Sequence, residues 1–163
     1  MKIFFGFIFL LRCLFSSDQI PGSNQSHPIL IQGGTIHTVS EGSLEGSDLL
    51  FENGKIIAIG KNLRLSSETK IINAVGQHVF PGLISAASTI GLQEIGAVRA
   101  TRDFAEVGDV NPNVRANVSY NPDSELIPVS RSNGILLALS VPRSGLISGT
   151  SSLMMLDGWT WED

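Results

Sequence analysis

The chain has 163 residues, enough for one ordinary hydrophobic core, with 42% hydrophobic and only 16% charged side chains. That balance, with 17 glycines, suits a strand-rich or α/β globule and excludes a coiled coil or a disordered chain. A net charge of −4 without a basic cluster gives no electrostatic case for nucleic acid, and a single cysteine excludes a disulfide framework and any cofactor held by several thiolates.

Met1-Lys2 followed by the apolar run Ile3 to Leu11 has the form of a secretory leader, predicted over residues 1–17. The run is too short to span a bilayer, which needs about 20 apolar residues. Export to the periplasm or the medium is therefore expected; a start codon assigned too early is the alternative. Cys13 does not fit a lipid anchor, because Arg12 stands where a small residue should precede a modified cysteine. Residues 18–28 are polar, carry Pro21-Gly22 and Pro28, and are predicted to form a linker.

From Ile29 the pattern turns to β-structure. Ile29 to Ile31 is predicted as a short strand, Gln32-Gly33-Gly34 as a bend, Thr35 to Val39 as a second strand and Glu41 to Ser47 as a polar turn. Asp48 to Glu52 and Lys55 to Gly60 flank Asn53-Gly54, a strong hairpin signal. Lys70 to Ile72 and His78 to Phe80 supply two more strands around the turn Asn73 to Gly76. Pro81-Gly82 ends this region, and the apolar Leu83-Ile84-Ser85-Ala86-Ala87 opens another strand.

Leu92 to Tyr120 has no clear periodicity, and its carboxylates Glu94, Asp103, Glu106 and Asp109 are expected to be solvated. A helix is predicted with Ser124 as cap, Pro128 in its first turn and Asn133-Gly134 as its stop. Ile135 to Val141, ended by Pro142, is nearly unbroken apolar sequence, as in a parallel strand buried on both faces. The Gly145 to Ser152 loop lacks the lysine and spacing of a phosphate loop, and is expected to turn Met154, Met155 and Leu156 into a core. There is no Gly-x-Ser-x-Gly elbow, and surface or structural roles are expected for His27, His37 and His78.

Four short signatures fall in one order: Gly34-Thr35-Ile36, Asn53-Gly54-Lys55-Ile56, Asn73-Ala74-Val75-Gly76 and Pro81-Gly82-Leu83-Ile84. Together they resemble the start of the metal-dependent amidohydrolase superfamily. Arg131 to Ile135 and Gly145 to Ser151 resemble its imidazolonepropionase-like branch. In that superfamily Pro-Gly-Leu-Ile leads into Asp-x-His-x-His on the first barrel strand. Residues i and i+2 of a strand share a face, so the two imidazoles can hold one Zn²⁺ at the barrel mouth. Here Ser85 stands at the aspartate, and Ala87 and Thr89 stand at the two histidines, so the ligand positions are degenerate.

The resemblance implies an α/β fold with a β-rich N-terminal part: a portion of a composite β-sandwich (29–81), then the first strands and helix of an incomplete (β/α)₈ barrel (82–163). The family reaction is hydrolysis of non-peptide carbon–nitrogen bonds in small amides by water activated on zinc or another divalent metal. A whole barrel takes about 250 residues, so this sequence corresponds to the front of one. The chain itself is expected to hold no metal or other cofactor, to lack catalytic residues and to be inactive alone. It is expected to self-associate or to pair with the remainder of a barrel. Two alternatives stay open, a non-catalytic binding or assembly subunit of the same fold and an unrelated β-rich secreted module.

Overall fold

The computed structural model describes residues 20–163. The predicted leader (1–17) and Cys13 lie outside the described residues. Two compact units are present, residues 23–82 and residues 83–163 together with 20–22.

The first unit is one mixed sheet of five strands: β1 (Ile29–His37), β2 (Ser43–Glu52), β3 (Lys55–Gly60), β4 (Lys70–Asn73) and β5 (His78–Val79). Its order is β3-β2-β1-β4, with β5 also on β1; β1 is antiparallel to β2 and parallel to β4 and β5. Asn53 (φ 51°) and Gly54 (φ 71°) make the tight β2–β3 turn, because both central residues of such a turn need positive φ. Gln25 fastens this hairpin, its Nε2 donating to the Phe51 carbonyl at 3.1 Å and its Oε1 accepting from Gly54 N–H at 3.3 Å.

Two expectations change here. The bend at Gln32 to Gly34 is a bulge inside the single strand β1, where the pairing with β2 shifts between Ile31 and Gly34. The displaced Gly33 N–H is satisfied by the buried Asp48, whose Oδ1 accepts it at 2.9 Å, so the strand continues instead of breaking. The polar segment Glu41 to Ser47 is not all turn either. Thr38 N–H bonds to the Gly42 carbonyl and Glu41 N–H to Thr38 Oγ1, both at 2.9 Å, which closes the turn by Gly42. Ser43 onward then pairs with β1, because an exposed strand end tolerates polar side chains. Leu30, Ile36 and Ala74 are the buried apolar side chains of this unit.

The second unit holds β6 (Leu83–Ser88), β7 (Ile135–Ser140) and β8 (Ser152–Met155) in the order β6-β7-β8. β6 and β7 are parallel, while β8 runs antiparallel to β7. The antiparallel β8 replaces the expected simple turn; Met154 and Leu156 enter the core and Met155 does not. The only α-helix among the described residues, α1 (Leu126–Ser132), comes before β7 and ends at Asn133. Its N-cap is Glu125 rather than Ser124, whose Oγ accepts the Leu126 N–H at 3.4 Å.

Tyr120, Ile127, Ala138, Met154 and Leu156 form the core, with Ile90 and Ile135 against it. That core covers one face of the sheet. On the other, the register aligns Ile84, Leu137 and Met155, with Leu139 opposite Leu153. Ile84 is 60% exposed, Leu153 59% and Met155 52%, and even Leu136 is 47% exposed. β7 is thus not covered on both faces by the described residues. The long segment before α1 is held by main-chain bonds to the 143–150 loop: Arg143 to Phe104, Asn111 to Ile147 and Thr150 to Val114, between 2.6 and 2.8 Å.

Gly91 (φ +75°) lies so close under Tyr120 that a Cβ there would stand 2.3 Å from the ring. Gly91→Ala is therefore expected to cost about 2–3 kcal/mol through overpacking and the left-handed backbone. A urea melt within about 0.5 kcal/mol of wild type would show that the ring can move aside.

Candidate functional site

The carboxyl end of β6 is where the sequence resemblance locates metal chemistry. Ala87 lies within β6 and is exposed, and Thr89 is the half-buried residue just beyond the strand. Between them, Ser88 is committed to structure. It pairs with Ser140, its Oγ accepts the Ile90 N–H at 3.0 Å and its carbonyl accepts the Val141 N–H at 2.8 Å. Ser140, fully buried, donates to the Ile90 carbonyl at 2.8 Å. These bonds lock the two parallel strand ends side by side.

A zinc ion requires three or four nitrogen, sulfur or carboxylate donors at about 2.0–2.3 Å. Ala87 offers a methyl group and Thr89 a neutral hydroxyl. Among the described residues no group of three or more His, Cys, Asp or Glu is placed to hold a metal ion. These positions therefore do not fit the family metal.

Next to this strand end lies a cavity of about 220 Å³, lined among others by Leu92, Gln93, Glu94, Thr101, Asp103 and Asn121. Glu94 departs from the expected solvated carboxylate. It is half-buried, its Oε1 accepting from Asn121 Nδ2 at 3.2 Å and its Oε2 from Ser124 Oγ at 2.9 Å. It fastens the loop to the start of α1, a contact between residues too far apart in sequence to be read from spacing. Asp103, Glu106 and Asp109 are exposed, as expected. The cavity can accept a small polar molecule but contains no activated nucleophile.

Tyr120, buried in the core, has a hydroxyl without a hydrogen-bond partner among the described residues. Burial pushes its pKa up to about 12. It also borders a second cavity of about 10 Å³, with Ile127, Arg131 and Asp157. There the Arg131 guanidinium pairs with the Asp157 carboxylate and donates to the Leu156 carbonyl at 3.2 Å.

Sequence spacing missed one constellation. His37 on β1 and His78 on β5 meet with Nε2 and Nδ1 2.8 Å apart, and Ser43 Oγ is 2.8 Å from His37 Nδ1. The parallel β1–β5 register brings them together, and no sequence signal gives that register. His27 stays apart, with Ser26 Oγ 2.8 Å from its Nδ1.

No protein-family model matches the sequence. The dihydroorotase of Geobacter metallireducens is 45% identical over 56 residues, which is 34% of this chain and 13% of that protein. The D-hydantoinase of Geobacillus stearothermophilus is 38% identical over 81 residues, half of this chain and 16% of that protein. An amidohydrolase from Thermotoga maritima superposes with a TM-score of 0.76 at 29% identity, over 82% of this chain and 35% of its own. The fold class shared with that structure is a β-rich front portion with mixed sheets and few helices. These likenesses are to members of the amidohydrolase superfamily. The chain spans about an eighth to a sixth of the length of the two curated relatives, that is 13% and 16%.

Because its hydroxyl has no partner, Tyr120→Phe is expected to preserve the fold and to raise stability by about 1 kcal/mol. Unfolded tyrosine ionises near 10.0, while Tyr120 stays neutral to about 12. Wild type should accordingly lose stability relative to the variant as pH rises through that window, and match its slope below pH 10. Denaturant melts at pH 7 and pH 11 read both effects. A variant destabilised by more than about 1 kcal/mol would mean that the hydroxyl has a partner in solution.

Proposed function

We propose that this chain is the front part of an exported amidohydrolase whose reaction is hydrolysis of non-peptide carbon–nitrogen bonds in small amides, and that it is inactive by itself. The single observation that carries this reading is the likeness to the Thermotoga amidohydrolase, which extends over 82% of this chain but 35% of that structure. The parallel β6–β7 pair with α1 in its crossover supports the start of a barrel. No residue here carries a step of the reaction. The divalent metal that activates water in such enzymes has no donor at Ala87 and a poor one at Thr89, so the degenerate first strand is part of the proposal.

The open sheet face gives the partner. Ile84, Leu153 and Met155 are more than half exposed, and apolar strand surface of this kind is normally covered in the native assembly. The natural cover is the remainder of a barrel; in its absence a second copy takes its place. Nothing favours nucleic acid, given the net charge of −4. The missing donors also favour the second reading, a non-catalytic binding or assembly subunit of the same fold.

Two measurements test this. Dihydroorotate, hydantoin and dihydrouracil, incubated with the purified chain with and without added Zn²⁺, should hydrolyse no faster than in buffer. Metal-dependent turnover lost in a Thr89→Ala variant would overturn the inactive reading. In light scattering after gel filtration, the chain should run as dimers or larger species, and Leu153→Lys should shift it toward monomer. A monodisperse, cooperatively melting wild-type monomer would mean that the exposed face needs no cover. N-terminal sequencing of the exported protein should begin after about residue 17; recovery of Met1 would refute export.

A further inference from the structure

His37 and His78 sit on one face of the first unit, at the edge where β5 pairs with β1. The parallel register matches Thr35 with His78 and Ile36 with Val79, which brings His37 beside Phe80 and one step along from His78. The rings are ordered by stacking. His37 lies 4.2 Å from Phe80, centroid to centroid, with the planes 2° apart, and 5.1 Å from His78 at 26°. Phe80 is thus a flat platform that restricts how His37 can turn. His78 is exposed and His37 half-buried, so the nitrogens between them can be reached from solvent.

We infer that His37 and His78 form a two-imidazole chelate for a divalent transition-metal ion, with water completing the coordination shell. The distance between the nitrogens bears on which ion would fit. With metal–nitrogen bonds of about 2.0 Å, two ligands at a right angle stand about 2.8 Å apart, and two at the tetrahedral angle about 3.3 Å. The observed separation of His37 Nε2 and His78 Nδ1 is 2.8 Å. The two nitrogens are hydrogen-bonded to each other at that distance, and a right-angle shell, as in tetragonal or octahedral Cu²⁺ and Ni²⁺, would change their separation least, tetrahedral Zn²⁺ more. Binding breaks the hydrogen bond between the rings and turns them so that both lone pairs converge on the solvent side.

The proton inventory closes without any added acid or base. Neutral histidine carries one N–H, and a metal on His37 Nε2 puts it on Nδ1, 2.8 Å from Ser43 Oγ, which then accepts it. His78, bound through Nδ1, keeps its N–H on Nε2. Ser43 therefore acts as a positioning residue that fixes the tautomer and orientation of the His37 ring. The site lies wholly within residues 23–82 and does not depend on the barrel strands or on the reaction proposed for them.

The test uses the untagged full chain, stripped with chelator, in a Cys13→Ser background so that no thiol competes. Competition against a chromogenic chelator near pH 7 should give one Ni²⁺ or Cu²⁺ per chain, each bound at least about tenfold more tightly than Zn²⁺. His37→Ala and His78→Ala should each weaken binding tenfold or more, with circular dichroism unchanged. His27→Ala should leave it intact, and Ser43→Ala should weaken it by a smaller factor. Electron spin-echo spectra of the Cu²⁺ form should show two coordinated imidazoles, falling to one in either variant. Equal binding in wild type and in both histidine variants would overturn the proposal. So would no binding above buffer, and Zn²⁺ bound as tightly as Ni²⁺ would overturn the right-angle geometry.

Discussion

Parallel pairing of β6 with β7 is the constraint from which most of the second unit follows. Two parallel neighbours cannot be joined by a tight turn; the chain must travel back the length of the strand before it re-enters the sheet. Residues 89–134 make that return, and their backbone groups must find partners along the way. A short piece does so by forming the α-helix α1, and other pieces do so through the 3₁₀ helices Arg99–Thr101 and Ala116–Ser119 and local bonds such as Asp103 N–H to the Leu92 carbonyl. The rest borrows partners from the loop that follows β7, through pairs such as Asn111 with Ile147 and Thr150 with Val114. Crossover and later loop are therefore one interlocked layer. Tyr120 and Ile127 from the crossover, with Met154 of β8 and Leu156 just after it, close over Ala138.

What the sequence disclosed was local chemistry. Asn53-Gly54 and Asn133-Gly134 announced a hairpin and a helix stop because both depend on backbone conformations that few residues adopt. What it concealed was pairing. The bulge at Gly33 is stabilised by Asp48, fifteen positions away, and looks locally like a bend. Ser43 to Ser47 look like a turn because exposed strand ends and turns share a polar vocabulary. Glu94 becomes structural only when Asn121 and Ser124 arrive from the far end of the crossover. The candidate site follows the same division. Ala87 and Thr89 could be located from the Pro81 to Ile84 signature, whereas the His37–His78 pair exists only through the β1–β5 register.

The uneven coverage of the second sheet has a simple origin. One face received the crossover and the core; the other presents Ile84, Leu153 and Met155, each more than half exposed. Each buried aliphatic side chain contributes about 1.5–3 kcal/mol relative to exposure. Ile84, Leu153 and Met155 are a little over half exposed, so leaving them open forgoes about 2–5 kcal/mol in all, a sizeable part of an ordinary domain's stability of about 5–15 kcal/mol. Covering that face is what the proposed association would contribute.

The two histidines and the strand end differ in what would be needed to make each of them bind metal. At the end of β6 the neighbouring polar groups are already engaged: Ser88 and Ser140 lock the strands, and both oxygens of Glu94 hold the loop to α1. Restoring imidazoles at positions 87 and 89 would supply two donors, and Glu94 could serve as a third by giving up the bonds that hold the loop to α1. The β1–β5 edge differs. His37 and His78 already hold two ring nitrogens 2.8 Å apart, with His37 stacked on Phe80 and its Nδ1 near the Ser43 hydroxyl, and the bond that must break to use them is the one between the two rings. The site inferred at the sheet edge therefore draws on donors bonded to each other, whereas at the end of β6 Glu94 is engaged in holding a loop.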